Sequence, residues 1–547
     1  MSPRAGPSPD ARRGRADHRP RASRSARWLS LATIAVATIL LSGCEEKQPG
    51  RALAQGLGRD ALVAPGGAAV AFFLDASHPD DRAVPADLFL GDLWLADVRG
   101  QAPAFKVAAG VATTPGNTVF RPDGAAIATL GSFRFHTGEG ELWAASSAGA
   151  PRKLADSAQS FAWAPRGEAL AWIAQGRLLV AADPLGSAAT LPPVDLAQSF
   201  SWSPDAQLLA VRTIGRGRIV LLDAKGGAQR ELAAESSDFL FASDGALGVL
   251  SRPGPKGGDR DLLLFTPKSE LFAGGAVEPR VIGRATSFGF SPDGQQLLLL
   301  STDSARGEAF GDLSRVSRSG GPAQALGEKV SEFRFAPKGD LLFLANYDTR
   351  ARAGSLMLAP ASGAAPREVA RHVQSFQVAP AGDRVLYLVQ SASKTDFKVE
   401  LWTAELSEHD GFSRAPRKID DGVYGYLLSP DGSTLFWKSR CVGGRSCELL
   451  RAPIGVVAEP VVMSLLVAGF ELAPASNRLL VAHPHKSAAR AVDLTLQDAF
   501  APPPEHPPEP FATEVDPSAR FLDPAGKLVI APFLKGHAAS VRLIELP

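Results

Sequence analysis

FGFSPDG (Phe288–Gly294) returns along the chain as FAWAPRG (Phe161–Gly167), FSWSPDA (Phe200–Ala206), FRFAPKG (Phe333–Gly339), FQVAPAG (Phe376–Gly382), YLLSPDG (Tyr426–Gly432) and FELAPAS (Phe470–Ser476). Weaker copies are VAPGG (Val63–Gly67), VFRPDG (Val119–Gly124), FLFASDG (Phe239–Gly245) and FLDPAG (Phe521–Gly526). Aromatic or apolar residues sit four and two positions before the Pro, and a spacing of two puts both on one face of a strand. Ser-Pro-Asp-Gly then places Ser first, Pro second and Gly fourth in a type I turn. Pro sets φ, Asp bonds local backbone, and Gly takes the positive φ that closes a hairpin.

Working outward, apolar residues return five and seven after the Pro, as in Leu170 and Trp172, Leu297 and Leu299, Leu342 and Leu344, and Leu435 and Trp437. This is a second strand with the same period. A third follows in GELWAAS (Gly140–Ser146), GRIVLLD (Gly217–Asp223) and VELWTAEL (Val399–Leu406). Basic-then-apolar pieces such as PRKLA (Pro151–Ala155) supply a fourth. Counting from the Pro, or from Ser243 where Pro is absent, the eleven copies are spaced by 39 to 57 residues, mostly 39 to 50. Such a period fits one four-stranded blade.

Strand–turn–strand–strand–strand cannot bury its faces alone, and radial stacking of units solves this. A β-sandwich would not repeat one turn eleven times, and a parallel β-helix would show a shorter period. The pattern resembles TolB-like and WD-repeat-like blades over roughly residues 60–547, which implies an all-β fold, a β-propeller of about eleven blade-like units. Rings usually close with four to eight blades, so two rings are expected rather than one, five units over 61–285 and six over 286–547. The last unit supplies three strands (Phe521–Asp523, Lys527–Phe533, Ser540–Leu546), and the segment near Arg51–Leu57 is expected to complete it.

The first residues read as an address. Eight Arg within residues 1–27 precede the uncharged stretch Trp28–Leu41. Its 14 residues would make a helix of roughly 21 Å, short of a membrane span and suited to a signal-peptide core. Leu41-Ser42-Gly43-Cys44 resembles the bacterial lipobox. The resemblance implies that residues 1–43 are removed, that Cys44 and the new amino terminus are acylated, and that residues 44–60 form a lipidated tether. Several acyl chains anchor stably where one does not. Glu45 is not the Asp that retains lipoproteins at the inner membrane of enteric bacteria, so either envelope membrane is open.

The hydrophobic share of 45% and charged share of 21% are ordinary for globular protein. Without residues 1–27 the chain holds 50 basic and 55 acidic residues, a net of −5. That is no electrostatic footprint for nucleic acid. With Cys44 assigned to the anchor, Cys441 and Cys447 in CVGGRSC remain. An oxidising compartment favours a disulfide between them, the alternative being two buried thiols. A Cys-only metal site lacks two ligands.

No G-x-S-x-G elbow, H-E-x-x-H helix, P-loop or dinucleotide fingerprint occurs. The blade motif runs on to residue 547 and leaves no room within this chain for a catalytic α/β domain. No catalytic residue, metal or cofactor is assigned. His483-Pro-His485 would point two imidazoles the same way from a strand, and Asp75-Ala-Ser-His78-Pro-Asp80-Asp81-Arg82 gathers acids around a histidine; a solvated loop explains each more simply. The tract APPPEHPPEP (Ala501–Pro510) is expected to be an extended, exposed insertion. The repeated Phe and Trp residues are assigned to packing.

The leading expectation is a non-enzymatic, membrane-tethered scaffold for envelope protein partners. The alternative is a propeller enzyme, a lyase or hydrolase acting on extracellular polysaccharide, with small-ligand or glycan sensing as a third possibility. Mapping His78, Asp80, Asp81, His136, His372 and His483 discriminates them, since convergence in one mouth would favour an enzyme.

Overall fold

The computed structural model describes residues 48–547 apart from residues 82, 101, 187–189, 226, 234, 252–258, 266–278, 303–309, 391–397, 407–414, 444–445, 489 and 535–538. Four antiparallel strands in chain order, a to d, make each blade. In blade 1 they are Gly58–Val63, Ala69–Ser77, Leu90–Asp97 and Phe105–Ala112. Blade 2 runs from Thr118–Phe120 to Arg152–Ala158, and the pattern continues through blade 10, Gly469–Leu472, Arg478–Pro484, Val492–Asp498 and Ala512–Val515. Between blades 7 and 8 the strand Arg367–Val378 serves twice, ending one blade and opening the next.

Blade 11 contributes Arg520–Phe521, Leu528–Phe533 and Ser540–Glu545, and Arg51–Gln55 pairs antiparallel with the last of these as its strand d. The two ends of the chain thus complete one blade. Gly50 is fitted to this junction, for a Cβ there would lie 2.2 Å from the Leu543 carbonyl oxygen. Arg542 donates to the carbonyl oxygens of Pro49, at 2.8 Å, and Gly50. Of the span 44–60, expected to be a tether, residues 51–55 and 58–60 lie in strands.

Strand b is buried on both faces, which is why it reads as a continuous apolar run. In blade 7, Leu341 and Phe343 pack toward blade 6, while Leu342 and Leu344 pack toward blade 8. The same alternation sends Leu170 and Trp172 one way, and Ala171 and Ile173 the other. The aromatic residues before each Pro sit against the preceding blade, as do Phe288 and Phe290 against Leu250 and Leu262. Trp163 Nε1–H donates to Val119 O and Trp202 Nε1–H to Ala162 O, each at 3.1 Å, so the indoles also tie one inner strand to the next.

One apolar core lies between every pair of consecutive blades, and one joins blade 11 (Leu53, Ile530, Val541) to blade 1 (Ala61, Val70, Phe72). The expected division near residue 285 is absent. Ala285 is buried with Leu297, Leu299 and Val316 in a core built like the others, and Pro49–Pro547 is one compact unit. The eleven blades form one circuit rather than rings of five and six.

The Pro turns have the expected hydrogen bonding. Gly294 N donates to Ser291 O, and Gly432 N to Ser429 O, each at 2.8 Å. Ser291 and Ser429 also donate to Asp293 and Asp431, whose carboxyls these bonds hold below the ordinary range. Gly is required twice over. Gly124 has φ of 76°, and a Cβ there would lie 2.2 Å from the Pro65 carbonyl oxygen of the neighbouring turn. At several junctions turn therefore rests on turn, including Gly67 of blade 1 against Leu522 of blade 11.

Outer strands are stitched by arginine. Arg152 of blade 2 donates to Pro184 O at 3.3 Å and to Gly186 O, both in the loop between strands c and d of blade 3. Arg280 repeats this on Ser319 and Arg318 of blade 6, and Arg417 on Ile454 of blade 9. Arg51 makes the equivalent bonds across the closure, to the carbonyl oxygens of Asp97 and Val98 of blade 1, both at 3.4 Å.

Deleting Pro49–Gln55 leaves strand Ser540–Glu545 as an open edge and is expected to lower the melting temperature sharply; an unchanged melting curve would refute the closure. Ala206 holds the turn position that is Gly in most copies, at φ of 60°. Ala206→Gly is expected to stabilise the fold by about 0.5–1 kcal/mol in denaturant unfolding, since relief of left-handed strain outweighs the added freedom of the unfolded chain.

Candidate interaction surface

The antiparallel strand order gives the ring two unlike faces. One carries the Pro turns and the loops between strands c and d. The other, the hairpin face, carries the b–c hairpins and the links from each strand d to the next strand a.

On the hairpin face of blades 1 and 2, Asp81 and His136 are brought together, Oδ2 to Nε2 at 2.8 Å. The Ala83 amide, first, and His136 hold the Asp81 carboxyl below its ordinary value. His78 Nε2 lies 3.0 Å from the Pro85 carbonyl oxygen, with its ring edge-on to Phe89. The Arg59 guanidinium covers the same Phe89 at 3.7 Å. Asp75 is a bulge residue with φ of 53°. This loop folds onto a small core of Val84, Leu88 and Ala112, a structural use for much of its sequence.

His483 lies near the end of strand b of blade 10 and His485 just beyond it, and each has its own partner. His483 Nε2 is 3.1 Å from Thr495 Oγ1, and burial pushes its pKa down. His485 Nδ1 meets Asp493 Oδ1 at 2.7 Å, and its Nε2 lies 2.9 Å from Ser487 Oγ and 3.5 Å from Glu514 Oε1. His372 is on blade 7, in the outer half of the shared strand. The histidines are thus spread over blades 1, 2, 7 and 10, and only Asp81 and His136 of the mapped set meet. Among the described residues no group of three or more His, Cys, Asp or Glu side chains is placed to hold a metal ion.

Cys441 and Cys447 are joined as a disulfide across the b–c hairpin of blade 9, between strands Thr434–Val442 and Ser446–Pro453. Cys44 lies outside the described residues. The Pro-rich tract occupies the loop between Val492–Asp498 and Ala512–Val515 of blade 10, on the Pro-turn face, and most of it is exposed.

Blade 9 carries a feature the sequence did not announce. Tyr424, Val442, Leu465 and Leu466 are all exposed on its hairpin face, Val442 at 75% and Leu466 at 63%. Tyr424 precedes strand a, Val442 ends strand b, and Leu465 and Leu466 lie near the end of strand d, Val461–Val467. Leu466 is held at φ of 55°, in a bulge that recurs at Gly110, Lys329, His372 and Glu514, each immediately before a buried Val. Five residue types at one structural position leave no sequence signal.

On strand a of blade 10, Glu471 accepts a hydrogen bond at 3.0 Å from Phe521 N on strand a of blade 11. Burial, opposed by that bond and by Arg520, raises its carboxyl above the ordinary 4.5.

The strand order and cores define this chain as an all-β propeller. No protein-family model matches the sequence, and no curated protein is similar to it. Solved structures similar in backbone include a eukaryotic initiation factor at 13% identity, covering 76% of this chain and 90% of that one, with a TM-score of 0.42. The tricorn protease matches at 11% identity over 80% of this chain and 47% of its own, TM-score 0.29. Sqt1 of Chaetomium thermophilum, solved bound to the N-terminus of ribosomal protein L10, matches at 14% identity over 62% of this chain and 97% of its own, TM-score 0.34.

Because the raised pKa belongs to the folded state, the stability Glu471 contributes is complete below pH 4.5 and is lost as pH rises through the folded value. Glu471→Gln keeps an acceptor for Phe521 N and removes the titration. Its melting temperature is expected to exceed the parent's at pH 7, with the gap narrowing toward pH 4.5; a gap independent of pH counts against this assignment.

Proposed function

We propose that this chain is an exported, lipid-anchored scaffold of the bacterial envelope, tethered through Cys44, whose hairpin face docks protein partners. The observation that carries the docking role is the exposed set Tyr424, Val442, Leu465 and Leu466 on one end of blade 9. Apolar side chains gathered on a rigid frame mark a protein contact more often than idle surface. The Cys441–Cys447 link braces the hairpin that presents Val442, and a disulfide suits an oxidising compartment outside the cytoplasm. The address over residues 1–44 agrees with such a compartment.

A β-propeller frame suits this role because every blade is fixed by its two neighbours, so the loops are presented with little conformational entropy left to lose on binding. The test is cross-linking in the native host, purification through a C-terminal tag and mass spectrometry. A small recurrent set of envelope proteins is expected, and its loss in the double variant Val442→Asp, Leu466→Asp, at unchanged melting temperature, supports the reading. No enriched protein, or enrichment indifferent to those changes, overturns it.

A further inference from the structure

We propose that the Pro-turn face lies against the membrane, with Val456, Val457 and Phe500 entering the lipid interface; this rests on the anchor at Cys44 proposed above. Strand direction comes first. Arg51 reaches the Ala102 carbonyl oxygen, in the c–d loop of blade 1, at 3.3 Å. At the other end of its strand, Gly56 N donates at 2.9 Å to Ala539 O, beside the b–c hairpin of blade 11. Arg51–Gln55 thus climbs from the Pro-turn face to the hairpin face, and the chain enters the ring on the Pro-turn side at the rim of blade 11.

Reach comes second. Six residues of chain lie between Cys44 and Arg51, so the two are at most about 25 Å apart when extended. A blade strand such as Leu90–Asp97 has eight residues and is itself about 26 Å long. The tether cannot therefore bring the hairpin face flat onto the bilayer that holds the acyl chains. It can bring the Pro-turn face there with slack.

Beside the point where the chain enters, that face presents apolar side chains. The c–d loops of blades 9 and 10, the two blades before blade 11, carry Val456, Val457 at 85% exposure and Phe500 at 41%. These loops are held at their roots. Arg384 and Arg417 both donate to Ile454 O, at 3.2 and 3.1 Å. Arg451 donates to Ala499 O at 2.5 Å and Ala501 O at 3.2 Å, and the Asp498 carboxylate accepts from Phe500 N at 2.8 Å. Apolar side chains on pinned loops next to an acyl anchor have a lipid surface as their natural cover, and they add apolar area to what the anchor already inserts.

The experiment uses the full acylated protein, extracted from its host and reconstituted into vesicles of phosphatidylethanolamine and phosphatidylglycerol with brominated acyl chains. Tryptophan is introduced singly as Val457→Trp or, on the opposite face, Val442→Trp, and each is compared with the parent. Loss of the added emission for Val457→Trp, with Val442→Trp emission retained, is the expected result. Quenching at Val442→Trp, or none at Val457→Trp, overturns the orientation. Mass spectrometry of the peptide beginning at Cys44 separates the two readings: no acyl mass removes the anchor and this inference with it, whereas acylation without quenching at Val457→Trp removes the inference alone.

Discussion

A four-stranded blade has two apolar faces and no interior, and everything else in this protein depends on covering both. Leu341 and Phe343 face one neighbour and Leu342 and Leu344 the other, so neither set is buried until both flanking blades are present. Burying such side chains contributes roughly 1.5–3 kcal/mol each, and the benefit falls between blades rather than within them. A row of blades would leave one apolar face exposed at each end. Closing the row removes both, which is why the first and last segments of the chain share blade 11.

Polar contacts keep that circuit in register. Apolar packing is non-directional, whereas the indole bonds of Trp163 and Trp202 tie inner strands, the arginine stitches tie outer strands, and turns such as Gly124 on Pro65 rest on their neighbours. The closure uses the same devices, with Gly67 at the turns and Arg51 at the outer strand standing where their counterparts stand in ordinary junctions.

The strands and turns were legible because each is set by local chemistry: alternation in strand a, the Ser-Pro-Asp-Gly turn, and an apolar run in strand b. The completion of blade 11 by the segment at Arg51 was legible from a missing strand. The number of rings was not, since it depends on a small angle between neighbours that no single repeat encodes. The bulges at Gly110, Lys329, His372, Leu466 and Glu514 left no trace either, because backbone position rather than residue type defines them. Of the candidate surface, the cysteine pair and the two-residue spacing of His483 and His485 could be read directly. The exposed apolar set on blade 9 could not, because Leu465 and Leu466 look like any other strand until their side chains are seen to lie outside the core.

Sharing one blade between the two ends of the chain also sets an order of events. Arg51–Gln55 pairs only with Ser540–Glu545, nearly five hundred residues later, a contact of the greatest sequence separation and slow by that fact alone. During folding that segment has no strand partner until Ser540–Glu545 is available. The circuit is thus an assembly that finishes by pairing two of its most distant segments. Until then blade 1 has a bare apolar flank that includes Ala61, Val70 and Phe72.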